Sequence, residues 1–178
     1  MKEIEARRSI RKYKSVEIDK KIVDRLIEGA RLAPSGNNRQ PWHFILVTNR
    51  ETREKIARTA HSQTWMLTAP LFIVCIADIK ARMESDDEFY VDEETASFEL
   101  KRAIRDTSIA IGHILLEAVS LGLGTCWIGW YTQKEIRPIL GIPEDKFVLG
   151  IITVGYPDEA PEPRPRKGVN EIIHHERW

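Results

Sequence analysis

Cysteine is nearly missing from this chain of 178 residues: only Cys75 and Cys126 are present, each inside an apolar run. Two thiols so far apart build no disulfide framework, and cysteine in such surroundings behaves as a small hydrophobe, so two buried free thiols are expected. An excess of charge of one sign is missing too, because 27 Lys and Arg balance 27 Asp and Glu. That excludes the broad basic surface that duplex nucleic acid requires, and no nucleic-acid partner is expected. Long hydrophobic runs are also lacking. The most apolar stretch, from Ile109 onward, approaches the ~20 residues of a bilayer span only by crossing Glu117, Gly122 and Gly124, which argues against lipid. No apolar run follows the early charges as a secretion signal would need, so a cytoplasmic protein is expected.

The common nucleotide fingerprints are absent as well. Gly122 and Gly124 begin a Gly-x-Gly, but Trp127 stands where the third glycine of Gly-x-Gly-x-x-Gly belongs. The pattern also lies at a helix-to-strand turn rather than a strand-to-helix turn, and there is no Walker sequence. His43, His61 and His113 are scattered, and the adjacent pair His174-His175 lacks the spacing of a ligand set, so no metal is expected.

What the chain does contain is a 42% apolar content that suits one domain over residues 1–178. Asp19 opens a helix to Leu32 whose apolar positions Ile22, Val23, Leu26, Ile27 and Ala30 follow helical spacing. Trp42 to Thr48 reads as a strand, Asn49 caps a short charged helix, and another short helix runs through Trp65 to Ala69 until Pro70 stops it. Leu71 to Ala77 is apolar without alternation, the mark of a strand covered on both faces. Lys80 to Glu94 is polar and acidic and reads as a mobile surface segment that could serve as a lid. Thr95 to Leu121 is the main helix; from Ile109 it is apolar on most sides, so it is expected to be buried almost all round. A helix buried on most faces needs more cover than one thin domain offers, and a partner subunit can supply it, which points to a dimer. Leu123 to Trp130 and Phe147 to Val154 add strands, and Thr132 caps a helix to Leu140. A proline-rich tail follows with Arg164, Arg166 and Lys167, and it regains apolar and aromatic residues between Val169 and Trp178.

Two polar stretches carry chemistry. Ala33-Pro34-Ser35-Gly36-Asn37-Asn38-Arg39-Gln40-Pro41-Trp42 is a loop between a helix and a strand, and its prolines, glycine and asparagines turn the backbone and leave amides free for a ligand. It reads equally as an ordinary connection. Arg7-Arg8-Ser9-Ile10-Arg11 concentrates guanidiniums whose forked donors fit phosphate oxygens, with a serine hydroxyl for a remaining oxygen. A solvated basic face is the alternative reading.

Taken in order with Gly122 to Gly129, Val154-Gly155-Tyr156-Pro157 and the tail from Arg164 to Trp178, these stretches resemble the FMN-dependent nitroreductase family, which includes flavin reductases and reductive dehalogenases. The resemblance implies an α+β fold: a central, mainly antiparallel sheet flanked by helices, in an intertwined homodimer with the C-terminal tail exchanged. It implies FMN as cofactor, with the phosphate and ribityl region met by Arg7, Arg8, Ser9 and Arg11 and by Arg164 and Arg166. Pro34, Ser35, Gly36 and Asn38 match the loop that reaches the flavin across the dimer interface. Main-chain groups of Trp127, Ile128 and Gly129 match the strand end beside the isoalloxazine. NADH or NADPH is the implied co-substrate and a nitroaromatic, quinone or similar small molecule the acceptor. Flavin supplies the redox chemistry, so no catalytic side chain is nominated. The other reading is a flavin-binding protein with a specialised role: dehalogenation, flavin fragmentation or flavin carriage. In one place the tail departs from the family's usual sequence, with Gly168 where proline ordinarily follows the Arg-Lys pair.

Overall fold

Leu71 to Ala77 has no buried-exposed alternation because both of its faces are covered. In the computed structural model, which describes residues 2–83 and 90–178, this stretch is the interior strand β2 (Leu71–Asp78). It pairs on one side with β1 (Trp42–Val47) and on the other with β4 (Lys146–Gly155), which in turn pairs with β3 (Gly124–Ile128). The order is β1-β2-β4-β3 and every pairing is antiparallel. Phe72, Val74 and Ile76 point to one face with Val148 and Ile151, and there they meet Ile56, Met66 and Ile136. Leu71, Ile73 and Cys75 point to the other with Ile152 and Val154, and meet Leu26, Ala110, Ile111 and Ile114. Each Val, Leu, Ile, Phe or Met side chain among them, fully withdrawn from water, contributes about 1.5–3 kcal/mol.

The helices that cover these faces begin where short-range capping dictates. Asp19 accepts the Lys21 amide at 2.7 Å to open α2 (Lys20–Arg31), and Asn49 accepts the Thr52 amide at 3.0 Å to open α3 (Arg50–Thr59). Each cap satisfies a donor that has no partner inside the helix. Thr132 and Glu135 form a reciprocal capping box at the start of α5 (Gln133–Leu140). The short N-terminal helix α1 spans Lys2–Ala6. Trp65 to Ala69 is a 3-10 turn at Thr64–Thr68 rather than an α-helix. The strand expected over Leu123 to Trp130 is shorter at both ends, because pairing with β4 runs only from Gly124 to Ile128.

Two expectations need correction. The main helix, α4, spans Phe98–Ser120 and starts three residues later than Thr95, since Ser97 is its cap and accepts the Leu100 amide at 3.3 Å. It is not buried almost all round within one chain. Leu100, Ala103, Thr107, Ala110, Ile111, Ile114 and Ala118 are buried, whereas Ile109 remains 42% exposed, because the sheet, α2 and α1 leave part of the helix surface uncovered. The Lys80–Glu94 stretch is not wholly a surface segment either. Residues 84–89, including Phe89, lie outside the described residues, but the flanks are built into the molecule. Arg82 and Val91 are buried, and Val91 packs with Ile79 and Leu100 in a small third cluster. The Val91 amide donates to Glu144 O at 3.0 Å and Arg137 donates to the Val91 carbonyl. Cys75 and Cys126 are both free and buried. Among the described residues no helix is long and apolar enough to cross a membrane.

Candidate functional site

The N-terminal arm owes its position to the edge strand β3 and the end of β4. Ser9 forms a parallel bridge with Thr125, and the Ile10 amide donates to Thr125 O at 2.9 Å. Further along, the Lys14 amide donates to Tyr156 O and the Asp158 amide to Lys12 O, each at 2.9 Å, so arm and post-β4 chain are laced together. Small residues make the close approach possible. A Cβ on Gly124 would stand 2.7 Å from Ile10 Cγ1, and one on Gly155 would stand 2.8 Å from the Tyr13 ring. The Tyr13 hydroxyl donates to Ile10 O at 2.6 Å and lies 2.8 Å from Thr153 Oγ1. Burial pushes its pKa far above the ordinary tyrosine value and keeps the phenol neutral.

This lacing brings the two basic clusters together. Arg7, Arg8, Ser9 and Arg11 from the arm, and Arg164 and Arg166 from the tail, line one cavity of about 730 Å³, within the range of small-molecule sites. Glu5 and Glu162 also reach its wall, so five guanidiniums face two carboxylates. The arginines are not equivalent. Arg8 Nη1 donates to Glu5 O at 2.6 Å and to Arg7 O at 2.9 Å, which ties it to the end of α1. The Arg11 backbone amide donates to Glu159, and its guanidinium lies 5.7 Å from the Trp65 ring centroid, within cation–π range. Cys126 lies near Ser9, Arg7 and Arg11; burial raises its pKa in spite of them, so it is a neutral thiol and a poor nucleophile.

The other predicted residues sit elsewhere. Trp127 lies over Gly150, where a side chain would collide with the indole; Ile128 is buried, so only its main chain is available to a ligand. Neither they nor Gly129 line the arginine cavity, and neither does the Pro34–Asn38 loop. That loop contains a 3-10 turn at Gly36–Asn38, and Asn37, Asn38 and Gln40 all have positive φ, at 54°, 55° and 49°. Non-glycine residues rarely adopt such backbone, though asparagine tolerates it best. Ser35 Oγ accepts the Gln40 amide at 2.9 Å and locks the turn. Sequence reasoning missed Glu5, Glu159 and Glu162. Glu159 pairs with a residue 148 positions away, and nothing local announces it.

The composition of the cavity fits a phosphate-bearing ligand. A family model described as the nitroreductase family matches residues 4–156. The chain is 36% identical, over 98% of its length and 85% of the relative's, to a Methanothermobacter thermautotrophicus protein described as a candidate NADH dehydrogenase/NAD(P)H nitroreductase. It is 30% identical to an FMN reductase [NAD(P)H] of Bacillus subtilis, over all of this chain and 74% of that one. Its fold superimposes on the NADPH:FMN oxidoreductase of Vibrio harveyi, solved with NAD+, with a TM-score of 0.88 at 29% identity over 99% of this chain and 76% of that one. Sequence and fold together establish that the chain belongs to the nitroreductase family.

Proposed function

We propose that the protein is an FMN-dependent NAD(P)H oxidoreductase, with a nitroaromatic, a quinone or a similar small molecule as its acceptor. The observation that carries this reading is the convergence of Arg7, Arg8, Ser9 and Arg11 with Arg164 and Arg166 on one cavity, from opposite ends of a chain with no net charge. A dianionic phosphate suits five guanidiniums and a hydroxyl, since charge-assisted and bidentate hydrogen bonds are the strongest that side chains make. Bound FMN would supply the chemistry by accepting a hydride from NAD(P)H and passing reducing equivalents to the acceptor. The chain's own part is to bind, orient and exclude water. Arg7, Ser9 and Arg11 would hold the phosphate end together with Arg164 and Arg166 from the tail, and Arg8 keeps the arm in place. Main-chain groups of Trp127, Ile128 and Gly129 would meet the ring system.

The site is completed by a second copy of the chain. In this reading one domain spans residues 1–178, the end of the tail from Val169 to Trp178 is exchanged between subunits, and Pro34, Ser35, Gly36 and Asn38 approach the flavin of the partner subunit. Exposure of Val169, Ile172, Ile173 and Trp178 in the single chain supports the exchange, as does the uncovered side of α4. The test is anaerobic titration of the purified protein with FMN, then NADH or NADPH. Yellow protein that bleaches rapidly and recovers with p-benzoquinone or a nitroaromatic is expected. A protein that binds riboflavin as tightly as FMN would overturn the phosphate assignment. Flavin that neither nicotinamide bleaches would favour a flavin-binding role without turnover.

A further inference from the structure

Beneath the loop at 35–40 lies a set of charges that the arginine cavity does not use. Arg82, in the turn that follows β2, has a side chain only 2% exposed. Its Nη1 donates to Asp106 Oδ2 at 2.6 Å and points to Gly36 O at 3.4 Å, and its Nε donates to Glu99 Oε2 at 3.2 Å. The same Asp106 oxygen accepts the Gly36 amide at 3.3 Å. Arg102 closes the group by donating to Glu99 Oε1 at 3.2 Å. Both polar main-chain groups of one residue are therefore held by a single ion pair. Gly36 is seated against the guanidinium so closely that a Cβ there would stand 3.3 Å from Arg82 Nη2.

A buried ion pair is a weak source of stability, because desolvation offsets most of the attraction and an apolar pair of similar volume often does as well. What an apolar pair cannot do is accept an N–H and donate to a C=O at fixed positions. The loop it holds contains three non-glycine residues with positive φ, a conformation that persists only where the surroundings impose it. We propose that Arg82 and Asp106 are positioning residues for the flavin site. They fix the Ser35–Asn38 turn in the geometry with which it meets the flavin of the partner subunit. The inference rests on the role given to this loop in the proposed function.

Asp106→Asn, Arg82→Met and Arg82→Lys test it in the full-length dimer, with Lys146→Met as a comparison that breaks a shielded ion cluster of β2 and β4 instead. Two quantities are measured: amide hydrogen exchange at residues 36–40 in FMN-free protein, and the FMN dissociation constant. Asp106→Asn and Arg82→Met are expected to speed exchange at Gly36 and Asn38 and to weaken FMN binding, each at least tenfold. Amides of β2 should be unchanged. Arg82→Lys, which keeps the charge without the fork, should recover part of the affinity, and Lys146→Met should leave both quantities within twofold. FMN affinity within twofold of wild type in Asp106→Asn, or an equal loss in Lys146→Met, overturns the proposal. If Arg82→Met does not fold, Asp106→Asn, similar in shape, carries the test. A wild-type protein without FMN affinity refutes the functional reading, while the exchange measurement still decides whether Arg82 and Asp106 hold the loop.

Discussion

Arg7 and Arg8 are neighbours in sequence and unequal in the cavity. Arg8 is turned back onto the carbonyls of Glu5 and Arg7, whereas Arg7 and Arg11 have no such side-chain hydrogen bonds among the described residues and remain available to a ligand. Hydrogen bonds to charged groups are worth about 1.5–3 kcal/mol, so Arg7→Ala or Arg11→Ala should weaken FMN binding about ten- to 150-fold. Arg8→Ala should weaken it less and act chiefly on the end of α1. Fluorescence titration of the three variants checks the ranking, and an Arg8 variant that loses as much as the others contradicts it. A second residue-scale prediction concerns the anchor of the arm. Tyr13→Phe removes a hydroxyl that serves both Ile10 O and Thr153 Oγ1, and it should lower stability to urea by about 1–3 kcal/mol. That Arg7, Ser9 and Arg11 share one cavity was legible, because they follow one another along a single arm. The burden on Arg8 was not, because it depends on where α1 ends.

Among the elements, caps were the most legible feature, since Asp19, Asn49 and Thr132 act on amides two or three residues away. The flanks of the Lys80–Glu94 stretch were not. Val91 is anchored to Glu144 and Arg82 to Asp106, contacts that only the fold creates. A charged cross-link of the same long-range kind joins three strands. Asp78 of β2 lies 2.7 Å from Lys146 of β4 and 3.2 Å from His43 of β1. Burial alone raises the Asp78 pKa, but hydrogen bonds from Lys146 and His43 outweigh it and hold the group below its ordinary value. The folded state thus takes up the proton less readily than the unfolded one. The contribution to stability is full above the unfolded pKa of about 3.9 and is lost as pH falls through the lower folded value. Asp78→Asn should therefore lower the urea midpoint at pH 7 and make its decline toward pH 3 shallower than in wild type. An unchanged acid limb would show that other carboxylates govern it.

At the scale of the whole molecule, the single chain leaves its own tail uncovered. Trp178 is 99% exposed with its ring tilted against that of His174, and Val169, Ile172 and Ile173 are exposed as well. Apolar surface left in water costs about 25 cal/mol per Å², so the second copy proposed above would gain by covering it. Deleting Val169 to Trp178 should shift sedimentation toward monomer on dilution and loosen flavin together with it. A truncated chain that stays dimeric and fully loaded with FMN would refute tail exchange.

The lacing of the arm also fixes an order of events during synthesis. Tyr13 finds Thr153 at a separation of 140 residues and the Arg11 amide finds Glu159 at 148. At about 5–20 residues per second the ribosome needs on the order of ten seconds to bridge that distance. Until β3, β4 and Glu159 have all been made, the arm lacks its edge strand and the Arg11 amide its carboxylate partner, and the tail arginines follow later still. A chain not yet extended to Arg166 therefore lacks two of the five guanidiniums that line the cavity.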